Sequence, residues 1–169
     1  MARKKSTIPR EVFLSHANQN HRFATRLKDE LQRHGVPVWY SETKIKGAQQ
    51  WHDEIGKGLE RCDWFLLVLS PAAVRSTWVK RELLFALENA HYNQRIIPVV
   101  FRECKVKELK KLSWTLSSMQ HVDFTESHTA GVTELLRIWG IRGSFPQGGK
   151  STGEVVQKPL NHRDEPGGG

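Results

Sequence analysis

Cysteine is almost missing from this chain: Cys62 and Cys104 are the only two in 169 residues. Neither belongs to a CxxC pair or a histidine-spaced cluster, which excludes a disulfide framework and a structural zinc site and leaves Cys62 as a buried thiol. Long apolar runs are missing as well. None approaches the roughly 20 residues of a membrane-spanning helix. The basic start Met1-Ala-Arg-Lys-Lys leads into no apolar stretch with a cleavage site, so it does not read as an export signal. The expectation is a cytoplasmic protein with no membrane partner. Acidic charge is in deficit, with 18 acids against 26 bases and a formal charge of +8. A surplus of that size would suit a nucleic-acid binder, but its placement argues otherwise. Arg3, Lys4, Lys5 and Arg10 carry +4, and the stretch from Gly143 onward balances to zero. The body between them mixes both signs. A basic arm on a mixed body reads as a solvated tail, so nucleic acid is not an expected partner.

What is present is an alternation of two periodicities. Glu11-Val-Phe-Leu-Ser15 is a short apolar run, and Phe23, Leu27 and Leu31 follow one helical turn apart. Gly35 stops that helix, and Val36-Pro-Val-Trp39 starts the next extended piece. After a polar loop over Tyr40 to Gly47, Trp51, Ile55 and Leu59 mark a second helix. Trp64-Phe-Leu-Leu-Val-Leu69 is apolar at every position, the pattern of a strand covered on both faces, and so the central strand of a parallel sheet. Ser70-Pro71 closes it. From about Ser76, Val79, Leu83, Leu87 and Ala90 outline a third amphipathic helix. Ile96 to Phe101 reads as a fourth strand, although Pro98 lacks a ladder donor and predicts irregular pairing there. A weaker polar stretch from Lys105 to Leu112 precedes a fifth strand over Met119 to Phe124, and Val132, Leu135, Leu136 and Trp139 form a last helical face.

Strands alternating with helices imply a parallel sheet covered on both faces, because each crossover is long and right-handed. The predicted fold is α/β and flavodoxin-like, a five-stranded sheet in the order 2-1-3-4-5. The expected organisation is a basic arm over residues 1–9, one domain over 10–142, and a tail over 143–169 too poor in apolar residues to offset its ordering entropy. Open sheets of this kind bind ligands beyond the carboxyl ends of the strands, where the strand order reverses. That point lies between the first and third strands, beside Ser15 to Asn20, Ser70 to Ser76 and the opening turns of the third helix. Trp78 and Glu82 stand four residues apart on those turns, so one helical face can offer a stacking ring and a charge to the same ligand. Spacing alone equally allows a packed aromatic beside a solvated acid.

Four segments in order, Val12-Phe-Leu-Ser-His16, Gly35-Val-Pro-Val-Trp-Tyr40, Cys62-Asp-Trp-Phe-Leu-Leu-Val-Leu-Ser-Pro71 and Ser76-Thr-Trp-Val-Lys-Arg-Glu82, resemble bacterial Toll/interleukin-1 receptor (TIR) domains of the NAD-cleaving kind. Each is individually weak; jointly, in register with the strand-helix pattern over residues 10–142, they are specific. The resemblance implies cleavage of the nicotinamide-ribose bond, with NAD as substrate and no cofactor or metal, in antiviral or other immune signalling. It places the catalytic glutamate on Glu82. Trp78, Ser15, His16, Ala17, Ser70 and Tyr40 would border the substrate. The loop with Ser41, Glu42, Lys44, Lys46 and Gly47 would govern assembly through TIR-TIR contacts, and a separate sensor or activator protein would order it. One fixed anion suits this reaction: nicotinamide leaves as a neutral molecule, and the barrier is the cationic character developing on the ribose. Two departures stand out. Asn20 and Ser41 occupy positions where many bacterial relatives carry acids, with Glu42 a possible substitute for the second. A scaffold acting only through TIR-TIR contacts is the alternative function.

Other signals point to less. Gly149-Lys150-Ser151 imitates the end of a phosphate-binding loop, but Gly143 is one residue too far upstream and neither strand nor helix flanks it. His16 with His21, and His121 with His128, lack metal-ligand spacing. Glu54 and Glu60 fall on the second helix, away from the expected crevice, and read as surface charges.

Overall fold

A computed structural model of the chain describes residues 7–40 and 52–142 in full and the backbone of residues 48–51. The expectations for the loop residues Ser41, Glu42, Lys44, Lys46 and Gly47, for the tail over 143–169 and for most of the basic arm lie outside the described residues. Strands β1 (Val12–Ser15), β2 (Val38–Trp39), β3 (Trp64–Leu69), β4 (Ile96–Val100) and β5 (Val122–Asp123) form one sheet in the order β2-β1-β3-β4-β5, with every pair parallel. Helices α1 (His21–Arg33), α2 (Ala48–Arg61), α3 (Pro71–Arg75), α4 (Thr77–Glu88), α5 (Val106–Leu112) and α6 (His128–Ile138) connect and cover them. This is the flavodoxin-like arrangement that the alternation predicts.

The alternating side chains of the strands divide the core in two. Val12, Leu14, Trp64, Leu66 and Val68 face α1 and α6, whose Leu27, Leu31, Val132 and Leu135 are fully buried against them. Phe13, Phe65, Leu67 and Leu69 face the other way, onto Ile55 and Leu59 of α2 and Val79, Leu83 and Ala86 of α4. Every residue of β3 is buried, as the unbroken apolar run requires for the central strand. Gly35 takes φ +81°, the left-handed conformation that lets α1 end and β2 begin within a few residues. Gly131 serves closeness instead: a Cβ there would lie 2.6 Å from the ring of Phe124, so α6 can settle on β5 because that position has no side chain.

Three details differ from the sequence reading. The third helix is two, α3 and α4, because Ser70 and Ser76 each cap a new start: their hydroxyls accept from Ala73 N at 3.0 Å and Val79 N at 3.3 Å. Its core-facing series also ends earlier, since α4 stops at Glu88 and Ala86, not the exposed Ala90, is buried. The fifth strand shortens to Val122–Asp123 because only those two residues pair with β4, opposite Val99 and Val100. Pro98, conversely, sits inside a regular strand. Phe65 N donates to Arg95 O and Phe101 N to Leu69 O, which turns the odd-numbered residues of β4 toward β3. The even ones face β5, which pairs only from Val99, so the donor that proline lacks falls where little ladder exists.

Candidate active site

Ser15 ends β1, and Glu82 lies on the buried side of α4, which crosses β1 and β3. The two meet: the Ser15 hydroxyl donates to Glu82 Oε2. Glu82 is 5% exposed, and no cationic group among the described residues offsets its charge. Burial therefore pushes its carboxyl up to about 7, against the opposing pull of the Ser15 hydrogen bond. A carboxylate so placed ionises near neutral pH, and its charge acts across a short, poorly screened distance. It is suited to steadying a positive charge that forms beside it.

A second buried contact joins the two loops at the point of strand reversal. Ser70, the residue after β3, donates to Asn20 Oδ1 at 2.5 Å while accepting from Ala73 N. Asn20 closes the 3₁₀ turn Asn18–Asn20 that follows β1. Ala17 is buried in the same core layer as Val79 and Leu83 of α4. Ser15, Ala17, Ser70 and Glu82 thus gather around the carboxyl ends of β1 and β3.

His16 and Tyr40 assemble elsewhere. Their rings lie 5.4 Å apart, each 5.5 Å from the ring of His21 at the start of α1. The Tyr40 hydroxyl is 3.3 Å from Thr25 Oγ1, and Lys28 Nζ sits 4.9 Å from the ring centre. Burial pushes His16 down to about 4, with the neighbouring His21 adding to the effect, so His16 is neutral at physiological pH. This ring cluster belongs to the α1 side of the sheet, just beyond the end of β2.

Trp78 is half-buried at the start of α4. Its ring lies 4.8 Å from that of His52 on α2 and 5.1 Å from the Arg81 guanidinium. Glu54 is half-buried and paired with Lys57 at 3.6 Å, and Glu60 is exposed, so both are surface charges. Cys62 is buried, which pushes its thiol up to about 12. Among the described residues no group of three or more His, Cys, Asp or Glu side chains could hold a metal ion, and no helix is long and apolar enough to cross a membrane.

Sequence reasoning missed Asp63. It is 7% exposed, accepts from the backbone N–H groups of Arg10 and Glu11 at 3.0 and 3.2 Å, and pairs with Arg95 at 3.3 Å and Arg10 at 3.6 Å. The available signal was an acid directly before a wholly apolar strand. His52 was missed because its contact with Trp78 joins two helices that no local pattern relates.

The profile of the TIR domain family matches residues 12–136. Similar proteins include the NAD(+) hydrolase TcpC of Escherichia coli O6:H1, 28% identical over 63% of this chain and 36% of its own length. The 2′ cyclic ADP-D-ribose synthase BtTIR of Bacteroides thetaiotaomicron is 24% identical over 70% of this chain and 42% of its own. The 2′ cyclic ADP-D-ribose synthase AbTIR of Acinetobacter baumannii is 33% identical over 56% and 38%. The chain therefore spans less than half the length of these relatives. Among solved structures, the TIR domain of the Toll-related receptor TRR-2 from Hydra magnipapillata superposes with a TM-score of 0.61 at 19% identity, covering 76% of this chain and 97% of that one. The TIR domains of the activated Roq1 resistosome superpose with a TM-score of 0.55 at 16% identity, covering 75% and 97%.

Proposed function

The chain belongs to the TIR domain family, and from that premise we propose that it cleaves the bond between nicotinamide and ribose in NAD, with Glu82 as the catalytic carboxylate. The observation that carries the proposal is the wiring of Glu82. It is an almost wholly buried acid, held by the Ser15 hydroxyl and by no cation, at the carboxyl ends of β1 and β3.

In the proposed reaction the glycosidic C–N bond breaks with its electron pair passing to the pyridinium nitrogen, so nicotinamide departs neutral without a general acid. The ribose carbon becomes cationic as the bond lengthens. Ionised Glu82 stabilises that charge more in the transition state than in the ground state, which is what accelerates the step. Water then adds to the carbon and releases a proton, giving ADP-ribose; capture by a hydroxyl of the same molecule gives a cyclic isomer instead. The relatives include proteins named for either outcome, and both share the bond cleavage assigned to Glu82.

Around this centre Trp78 and Ala17 shape the crevice, and Ser70 fixes its two loops relative to each other. His16 and Tyr40 anchor the root of the loop over Ser41 to Gly47, with Glu42, Lys44 and Lys46 among its contacts to a second TIR domain. Self-association or a separate activator protein orders that loop and switches the enzyme on. The test is chromatography of NAD incubated with the wild type and with Glu82→Gln, alone and under crowding. Nicotinamide release by the wild type that the substitution abolishes is the expected result. Undiminished turnover by Glu82→Gln would refute the assignment, and full activity of the dilute wild type would refute the activation.

A further inference from the structure

The segment 102–118 collects five basic residues, Arg102, Lys105, Lys107, Lys110 and Lys111, against two acids, Glu103 and Glu108. It accounts for most of the charge surplus of the folded body. On α5 the helical period sorts these residues: Leu109 and Leu112 turn inward, while Val106 and Lys110 form one outward row and Lys107 and Lys111 the next. Ser113 is extended and ends the helix, and Trp114 opens the 3₁₀ segment that follows. Trp114 is 76% exposed, far more than any other described tryptophan, and Val106 is 58% exposed. No ion pair among the described residues engages Lys107, Lys110 or Lys111, and no ring lies beside Trp114. Glu108, the acid nearest them in the chain, is turned back to accept from Lys105 N at 3.2 Å.

We infer that the exposed stripe of α5 and Trp114 is a docking surface for a bilayer rich in anionic lipid, lysines meeting the headgroups and Trp114 with Val106 entering the interfacial layer. That no helix among the described residues is long and apolar enough to cross a bilayer concerns crossing one; this surface concerns lying on one. An unpaired lysine row supplies the attraction, because each lysine near an anionic leaflet multiplies partition about fivefold. An indole has an apolar body and a polar N–H, the combination that settles at a membrane-water boundary. A single-stranded nucleic acid would also meet lysine and tryptophan, but it is held in a groove that tracks its backbone. Here the ring projects from the surface, and the same lysine-rich segment exposes an aliphatic side chain, Val106. Those two features favour lipid.

The test is co-sedimentation of the full chain with vesicles of phosphatidylcholine alone or with 30% phosphatidylserine added, at low and high salt. Binding to the anionic vesicles only, weakened by salt, is expected. Lys107→Gln, Lys110→Gln and Lys111→Gln together lower the partition about a hundredfold. Trp114→Ala lowers it further, and Trp114→Phe restores most of that loss. All these positions are exposed, and circular dichroism verifies that the variants are folded. No binding to anionic vesicles overturns the proposal. So does undiminished binding by the triple variant, which would assign the attraction to the basic arm. Preferential binding of a single-stranded oligonucleotide through the same residues, or a dimer that Trp114→Ala dissolves while vesicle binding persists, overturns it too.

Discussion

Two buried acids sit at opposite ends of the same sheet, and they are wired in opposite ways. Asp63, at the amino end, is 7% exposed and is met by two backbone N–H groups and two guanidinium groups. Glu82, at the carboxyl end, is 5% exposed and is met by one hydroxyl. Equal burial therefore conceals unequal charge. At Asp63 the fold spends its donors on neutralising the anion, and the product is a clasp that ties the start of β1 to β3 and β4. At Glu82 the desolvation is left largely unrepaid, which costs stability and keeps the charge available for something that arrives later.

The sharpest way to break this contrast is to remove each charge and read function and stability separately. Glu82→Gln is expected to lower NAD cleavage about a thousandfold, the range for losing one preorganised electrostatic group, with no loss of melting temperature. A comparable loss in Asp63→Asn, at temperatures where both remain folded, would erase the distinction between the ends. Asp63→Ala is expected to cost about 4 kcal/mol in urea denaturation, because it orphans Arg95 and two N–H groups.

The pH dependence follows from the sign of the Glu82 shift. Its pKa is raised to about 7 in the folded protein from an unfolded value near 4.5. The folded state therefore holds this proton across that window while the unfolded state releases it. Stability falls as pH rises through it, by up to roughly 3 kcal/mol between pH 4 and pH 8, and Glu82→Gln flattens the slope. Denaturation series at several pH values check this; parallel curves for the two proteins would contradict it. In the proposed reaction the ionised form is the working one, so the rate is expected to run the other way and climb through pH 7. Ser15→Ala removes a donor that favours ionisation, so it moves that climb to higher pH and lowers the rate at pH 7 by up to about tenfold, with recovery near pH 9. A pH-rate profile measures this smallest effect.

Periodicity made the architecture legible. The wholly apolar β3 and the turn-spaced leucines of α1 dictate burial on one or two faces, and strand order follows from how such elements connect. What periodicity conveyed poorly was interruption. The break at Ser76 depends on one hydroxyl reaching one N–H, and the truncated β5 depends on how few residues pair with β4; neither leaves a repeat to find. For the candidate site, position singled out Glu82 and the Ser15 loop, and the family resemblance supplied the roles expected of them. Tyr40 and His16 were expected beside the substrate; their gathering with His21 on the other face was not legible, because nothing local tells which side of a sheet a loop residue will choose. Asp63 offered a signal in its place before the apolar strand, but not its role, since its partners Arg10 and Arg95 are brought to it only by folding.

Ser70 has a single proton, and it is committed to Asn20. The hydroxyl is thus no nucleophile in waiting, and a ligand seeking a donor there would first have to unlatch the two loops. The amide that takes this proton brings no charge of its own. Where an aspartate would place a buried negative charge between the two loops, Asn20 places a neutral dipole, so this latch holds without adding a second anion to the end of the sheet that already buries Glu82.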